Sequence, residues 1–184
     1  MPIYQKKAFP VARIRRFLEP GPTILITSAH KGETDIMANG WHTMMSFTPA
    51  VVACYIWDQN HSHSLIRKSR DCVINVPTFD LLNQVIGIGN THGPADKFAQ
   101  FNLTAEPAAK VSAPLITECY ANFECKLAET RLIKRYSLFL FEVVKAHVAI
   151  KPQYPKTIHY RGDGVFMVSG PSVDRKSQFK RANL

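Results

Sequence analysis

No run of the sequence approaches the roughly 18 consecutive apolar residues that a membrane-spanning helix needs, so no membrane association is expected. The first residues mix Lys6, Lys7, Arg13, Arg15 and Arg16 with Pro10, and lack the continuous apolar stretch and small-residue cleavage site of a secretory signal. The expected compartment is the cytoplasm. Cysteine is scarce. Cys54, Cys72, Cys119 and Cys125 form no C-x-x-C pair, which argues against structural zinc, and disulfides are not expected in that compartment. Three of the four sit in apolar, strand-like runs, where a free cysteine behaves as a small hydrophobe. The common catalytic signatures are also missing: no G-x-S-x-G, no H-E-x-x-H, no G-x-x-x-x-G-K-[ST], and no dinucleotide fingerprint after the first strand. Gly87-Ile88-Gly89 follows a helical pattern and is a poor substitute for that fingerprint. A nucleotide cofactor, if bound, is bound without these motifs.

What is present fits one domain of 184 residues, with a core over about 10–170 and basic tails. The charge of +9 is compatible with nucleic acid, an anionic surface or small phosphorylated ligands. Its clusters lie mainly at the chain ends, the second at Arg175, Lys176, Lys180 and Arg181, and read as solvated tails. No nucleic-acid partner is expected, because no recognised motif supports one.

Strand patterns dominate. Glu19-Pro20-Gly21-Pro22 signals a turn, and the β-branched run over 23–29 follows it. Lys31-Gly32 marks a hairpin, an extended pattern runs over 35–41 and continues over 43–47, and 51–57 is apolar on both faces. A helix is predicted from Ser62 to Ser69 with Ser62 as its cap, then a strand over 72–76 and a helix opening at Asp80. Gly87, Gly89, Gly93 and Pro94 read as a loop, followed by a short helix over 95–101. Long strands are predicted over 121–129 and 137–150, and a last hairpin around Gly162-Asp163-Gly164. The fold class is mainly β with short helices, the sheet antiparallel and closed or nearly so.

Two clusters carry chemistry. In His61-Ser62-His63-Ser64, histidines at i and i+2 would share a face of a strand and could hold a metal, but no third ligand is near, and no metal is expected. Hydroxyls at a helix start, with Arg67, Lys68 and Arg70 nearby, instead suit phosphate; the alternative is that Ser62 only caps its helix. Trp41, His42, Met44, Met45 and Phe47 beside Gly40 could line a planar ligand or simply fill a barrel core.

Read in order, these pieces resemble the flavin reductase-like FMN-binding split-barrel family, which includes flavoredoxin-type proteins. The stretches that carry the resemblance are Glu19-Pro20-Gly21-Pro22-Thr23-Ile24-Leu25-Ile26-Thr27, Asp35-Ile36-Met37-Ala38-Asn39-Gly40-Trp41-His42-Thr43-Met44, Ser46 to Pro49, and Asn60-His61-Ser62-His63-Ser64-Leu65-Ile66. Further on, Cys72-Val73-Ile74-Asn75-Val76-Pro77, Asp96-Lys97-Phe98, Pro114-Leu115-Ile116-Thr117-Glu118-Cys119 and His159-Tyr160-Arg161-Gly162 continue it. The resemblance implies a six-stranded antiparallel barrel, a homodimer, and FMN near the subunit interface, with FAD as the alternative flavin. It implies that the ring lies along Met37, Ala38, Asn39, Gly40 and Trp41, with the Thr43 hydroxyl a candidate donor and Ser46 among the cofactor-binding residues, and that Asn60, Ser62 and Ser64 hold the phosphate. Lys97 is implied beside the flavin or the partner subunit. Tyr136 and His159 are implied as substrate contacts, with NAD(P)H as electron donor. The departures are Asp35 where many relatives have Asn, and Lys134-Arg135-Tyr136 where many carry Gly-Asp-His for nicotinamide. The implied activity is NAD(P)H-dependent flavin oxidoreduction, without a side-chain catalytic dyad. The alternatives are an FMN electron carrier reduced by a redox partner protein, and a pyridoxal-phosphate type oxidase on the related barrel.

Overall fold

The computed structural model describes residues 4–14 and 21–180. Glu19-Pro20 of the first turn, and Arg15, Arg16 and Arg181 of the basic clusters, lie outside the described residues.

The elements run β1 (Lys6–Phe9), β2 (Ile24–His30), β3 (Glu33–Asn39), β4 (His42–Phe47), β5 (Ala50–Tyr55), α1 (His61–Ser69) and β6 (Asp71–Val76). Then follow α2 (Leu82–Asn90), α3 (Lys97–Gln100), β7 (Ala105–Glu106), β8 (Leu115–Ile116), β9 (Ala121–Glu129), α4 (Ile133–Tyr136), β10 (Leu138–Ala149), β11 (Ile158–Gly162) and β12 (Val165–Val168). The main sheet is antiparallel in the order β3-β2-β6-β9-β10-β5-β4, with β1 also paired to β10.

That sheet has eight strands, not six. The extended pattern over 35–47 is two strands, because Gly40-Trp41 carries the chain from β3 at one end of the strand order to β4 at the other. The second addition is β1, whose Lys6-Lys7 start reads as tail; it pairs with the far half of β10, Phe9 opposite Ala146, while β5 takes the near half. Asn39 bridges the seam between β3 and β5. Its Nδ2 donates to the Tyr55 carbonyl at 2.6 Å, and its Oδ1 accepts from the Trp41 amide at 2.8 Å. The Tyr55 amide donates in turn to the Trp41 carbonyl at 3.0 Å.

Among the described residues, the two larger of three buried clusters follow from the period-2 alternation of the strands. Ile24 and Ile26 of β2, Met37 of β3, Phe123 of β9 and Phe139 and Phe141 of β10 fill the barrel. Leu25 and Ile36 point outward and pack beneath Leu81, Val85 and Ile88 around α2. Strand β2 is therefore buried on both faces, which explains its continuous run of apolar and small residues. Lys31 and Gly32, both at positive φ, make the two-residue turn into β3, a geometry that glycine accepts without a Cβ penalty.

Helix α2 runs through Gly87 and Gly89, so the glycine-rich loop begins only at Thr91. A Cβ on Gly87 would stand 2.3 Å from the Phe101 ring, so this glycine lets the ring pack against the helix. All four cysteines are buried free thiols, and Cys72 lies directly across from Cys125 between β6 and β9. Among the described residues, no helix is long and apolar enough to cross a membrane.

Candidate functional site

A groove runs along the outer face of β3, between that strand and α2. It consists of two cavities that share Ala38 and Gly89. The first is narrow, about 40 Å³, and polar; Asp35, Asn60, His61, Thr91, His92 and Lys97 are among its walls. The second is about 570 Å³, with Ala38, Asn39 and Gly40 along one side, Val85 and Ile86 of α2 opposite, and Tyr160 and Phe166 of the last hairpin at its rim.

The polar end is organised by a buried ion pair. Lys97 Nζ lies 2.7 Å from Asp35 Oδ1, and the two side chains are 4% and 1% exposed. The same ammonium donates to the Ile36 carbonyl at 2.7 Å. An ammonium carries three donors, so one N–H remains for the cavity that Lys97 lines. Asp96 fixes the start of α3 by accepting from the Ala99 amide at 3.1 Å, which sets Lys97 at the first position of that turn.

Helix α1 presents its N-terminus here, with Asn60 in extended conformation at the N-cap. Its first turn carries the positive end of the helix dipole, with the His63 amide already donating to the Asn60 carbonyl at 3.0 Å. His61, at the rim, pairs with Glu33 at 2.7 Å. Arg67 and Lys68 fall in the last turn of α1, so their charge is not at this end of the helix.

Ser62 differs from expectation. It is not the N-cap; it occupies the second helical position, is fully buried, and donates to Asp35 Oδ2 at 2.5 Å. Its hydroxyl is thus engaged within the ion-pair network and does not line either cavity. Ser64 is exposed and donates to the His61 carbonyl at 3.2 Å, also away from the groove. The histidine pair does not share a face as it would on a strand: His61 turns to Glu33, while His63 is buried edge-on to Phe139 at 5.1 Å.

The structure brings Met37, Ala38, Asn39, Gly40, Asn60 and Lys97 together around the groove. Thr43 and Ser46 line a separate concavity of about 440 Å³ with His42 and Phe47. Trp41 lies on the seam, 72% exposed, its ring 5.2 Å from that of Tyr55. Tyr136 ends α4 against the Arg135 guanidinium and lines neither groove cavity. His159 is buried; Nδ1 donates to the Gly21 carbonyl at 3.1 Å and Nε2 meets the Thr157 hydroxyl at 3.0 Å. With both ring nitrogens held, it fastens the turn before β2, and the next residue, Tyr160, reaches the cavity. His42 fastens the same turn, donating from Nε2 to the Pro22 carbonyl at 2.7 Å.

Sequence reasoning missed Gly89, Thr91, His92, Tyr160 and Phe166 as groove residues. The quoted His159-Tyr160-Arg161-Gly162 stretch carried the signal for Tyr160, since neighbours on a strand face opposite ways and a buried His159 leaves Tyr160 outward.

Comparison with known proteins agrees with this architecture. An uncharacterized protein of Pyrococcus abyssi is 36% identical over 129 residues, covering 70% of this chain and 74% of that protein. The uncharacterized protein YddH of Escherichia coli is 29% identical over 173 residues, covering 86% and 92%. Among solved structures, an FMN-binding domain of a flavin reductases-like enzyme from Shewanella baltica superposes with a TM-score of 0.87 at 23% identity, covering 96% of this chain and all (100%) of that one. Flavoredoxin of Desulfovibrio vulgaris superposes with a TM-score of 0.77 at 19% identity, covering 85% and 90%. The family model described as flavin reductase like domain matches residues 15–166, and the chain belongs to that family.

Proposed function

We propose that the groove binds FMN, with the phosphate end toward α1 and Lys97 and the ring over Ala38, Asn39 and Gly40, and that the protein passes electrons from NADH or NADPH through the flavin to an acceptor. The observation that carries this reading is the meeting of the two cavities at Ala38 and Gly89. A polar end with a spare ammonium donor and a helix N-terminus suits a phosphate and a polyol chain. The larger, partly apolar end suits a flat ring system. A Cβ on Gly89 would meet only the Ala38 methyl, at 3.9 Å, so the glycine leaves open space that a ligand can take.

When bound, FMN would supply the redox chemistry, hydride-equivalent transfer between a dihydronicotinamide and the acceptor. The chain's own contributions are binding, orientation and electrostatics. The Lys97 ammonium and the α1 amides stabilise negative charge at the polar end. The Asn39 side chain, held by Tyr55 and Trp41, fixes the backbone beneath the ring. FMN binding by the Shewanella domain, and the likeness to flavoredoxin, support the reading.

Homodimerisation belongs to the same proposal. Strand β4 ends the sheet order and leaves Met45 and Phe47 exposed next to Trp41. An apolar edge strand of this kind invites pairing, and a second copy would cover it.

A second reading, a carrier reduced by a partner protein, is favoured by the place of Tyr136, which contacts neither groove cavity. Anaerobic addition of NADH, then NADPH, to the FMN-loaded protein separates the two. Bleaching of the visible flavin band supports the oxidoreductase, and a band that persists with both nucleotides supports the carrier.

A further inference from the structure

Tyr160 and Phe166 face one another across the last hairpin, ring centroids 5.0 Å apart. The Tyr160 hydroxyl accepts from the Gly164 amide at 3.1 Å, which ties the ring across the turn. The hairpin itself is anchored: Ile158 is buried in the outer core, its carbonyl accepts from the Thr23 amide at 2.7 Å, and His159 holds Gly21. Yet Tyr160 is 53% exposed, on the rim of the 570 Å³ cavity and across it from the helical wall that carries half-exposed Ile86. A large aromatic face left in water at the mouth of a cavity, held by its own hydroxyl, is preorganised to stack on a flat molecule.

We propose that Tyr160, backed by Phe166, is a specificity-determining wall that stacks a planar aromatic or heteroaromatic second substrate at the outer side of the groove. This rests on the FMN reading above. A planar ring gains the stacking contact with Tyr160, whereas a puckered saturated ring of similar size does not.

The test uses FMN-loaded protein and two neutral probes, nicotinamide and the saturated amide cyclohexanecarboxamide, each titrated while the visible flavin spectrum is recorded. The wild type is expected to bind nicotinamide more tightly. Tyr160→Leu, which keeps apolar bulk, is expected to weaken nicotinamide about two- to tenfold, the range of one aromatic pair, and to leave cyclohexanecarboxamide unchanged. Tyr160→Phe is expected to keep the preference, which separates the ring from the hydroxyl that holds the turn. FMN retention should be equal in all three proteins. Equal probe affinities in wild type and Tyr160→Leu would overturn the proposal. So would loss of FMN from Tyr160→Leu, because Tyr160 would then belong to the flavin seat. A wild type that takes up no FMN fails the groove reading itself, and is recognised before any variant is made.

Discussion

Gly89 on α2 faces Ala38 on β3 so closely that a Cβ on the glycine would meet the alanine methyl at 3.9 Å, and nothing else stands within 4 Å. The two small residues leave the opening through which the polar and apolar halves of the groove communicate.

Gly89→Leu is therefore expected to abolish FMN retention while leaving the fold intact. The site is exposed and near the end of α2, and leucine is a better helix former than glycine by roughly 0.8 kcal/mol. Loss of flavin with an unchanged or raised midpoint of urea unfolding is the expected pattern, and retained FMN would count against the groove.

The Asp35–Lys97 pair is expected to dominate local stability. Removing one partner leaves a buried charge, so Lys97→Met should cost about 3–5 kcal/mol, and adding Asp35→Asn should recover a large part of it. Ser62→Ala removes a buried hydrogen bond to a charged group, worth about 1.5–3 kcal/mol. Its effect should appear first in urea unfolding, and only secondarily in FMN affinity.

How much of this was legible in the sequence depends on the residue. The strand over 121–129 coincides with β9, and the long run over 137–150 holds β10, because both are rich in apolar and aromatic residues between clear breaks. The segment lining the groove, 37–40, was legible from its resemblance to the family. Ser62 was not. Ser62 and Ser64 both sit at a helix start, and a shift of one residue in that start decides which hydroxyl faces inward. The resemblance implies Lys97 beside the flavin or the partner subunit, but its burial is hidden in the sequence, since lysine is almost never buried without a partner and Asp35 is distant along the chain. Gly87 and Gly89 read as loop because glycine disfavours helix interiors. Here the Phe101 ring, packed from elsewhere in the chain, accounts for Gly87, whereas a Cβ on Gly89 would meet only the Ala38 methyl at ordinary contact distance.

Acid should destabilise the protein through its buried imidazoles. Burial holds His42 below its ordinary value of 6.5, with the neighbouring His159 adding and the Pro22 carbonyl opposing. Burial also lowers His63, with Arg67 adding. The unfolded chain then takes up protons before the folded one. Stability contributed by these groups is complete above the ordinary histidine range and is lost as pH falls from about 6.5 toward their folded values. Urea unfolding at stepped pH should show this decline, and His42→Gln should flatten it.

The thiols should be inert in the native state. All four are buried, and burial pushes those of Cys54, Cys72 and Cys119 well up. A chromogenic thiol reagent at pH 8 is expected to label none of the four before denaturation and all four after it. Rapid labelling of the native protein would show that the barrel opens.

The most direct measurement is the visible absorption spectrum of the purified protein, before and during titration with FMN. A yellow protein, or a colourless one that saturates with equimolar FMN and loses that capacity in Gly89→Leu, is the predicted result. A colourless protein whose added FMN keeps the spectrum and fluorescence of free flavin would contradict the account at its centre.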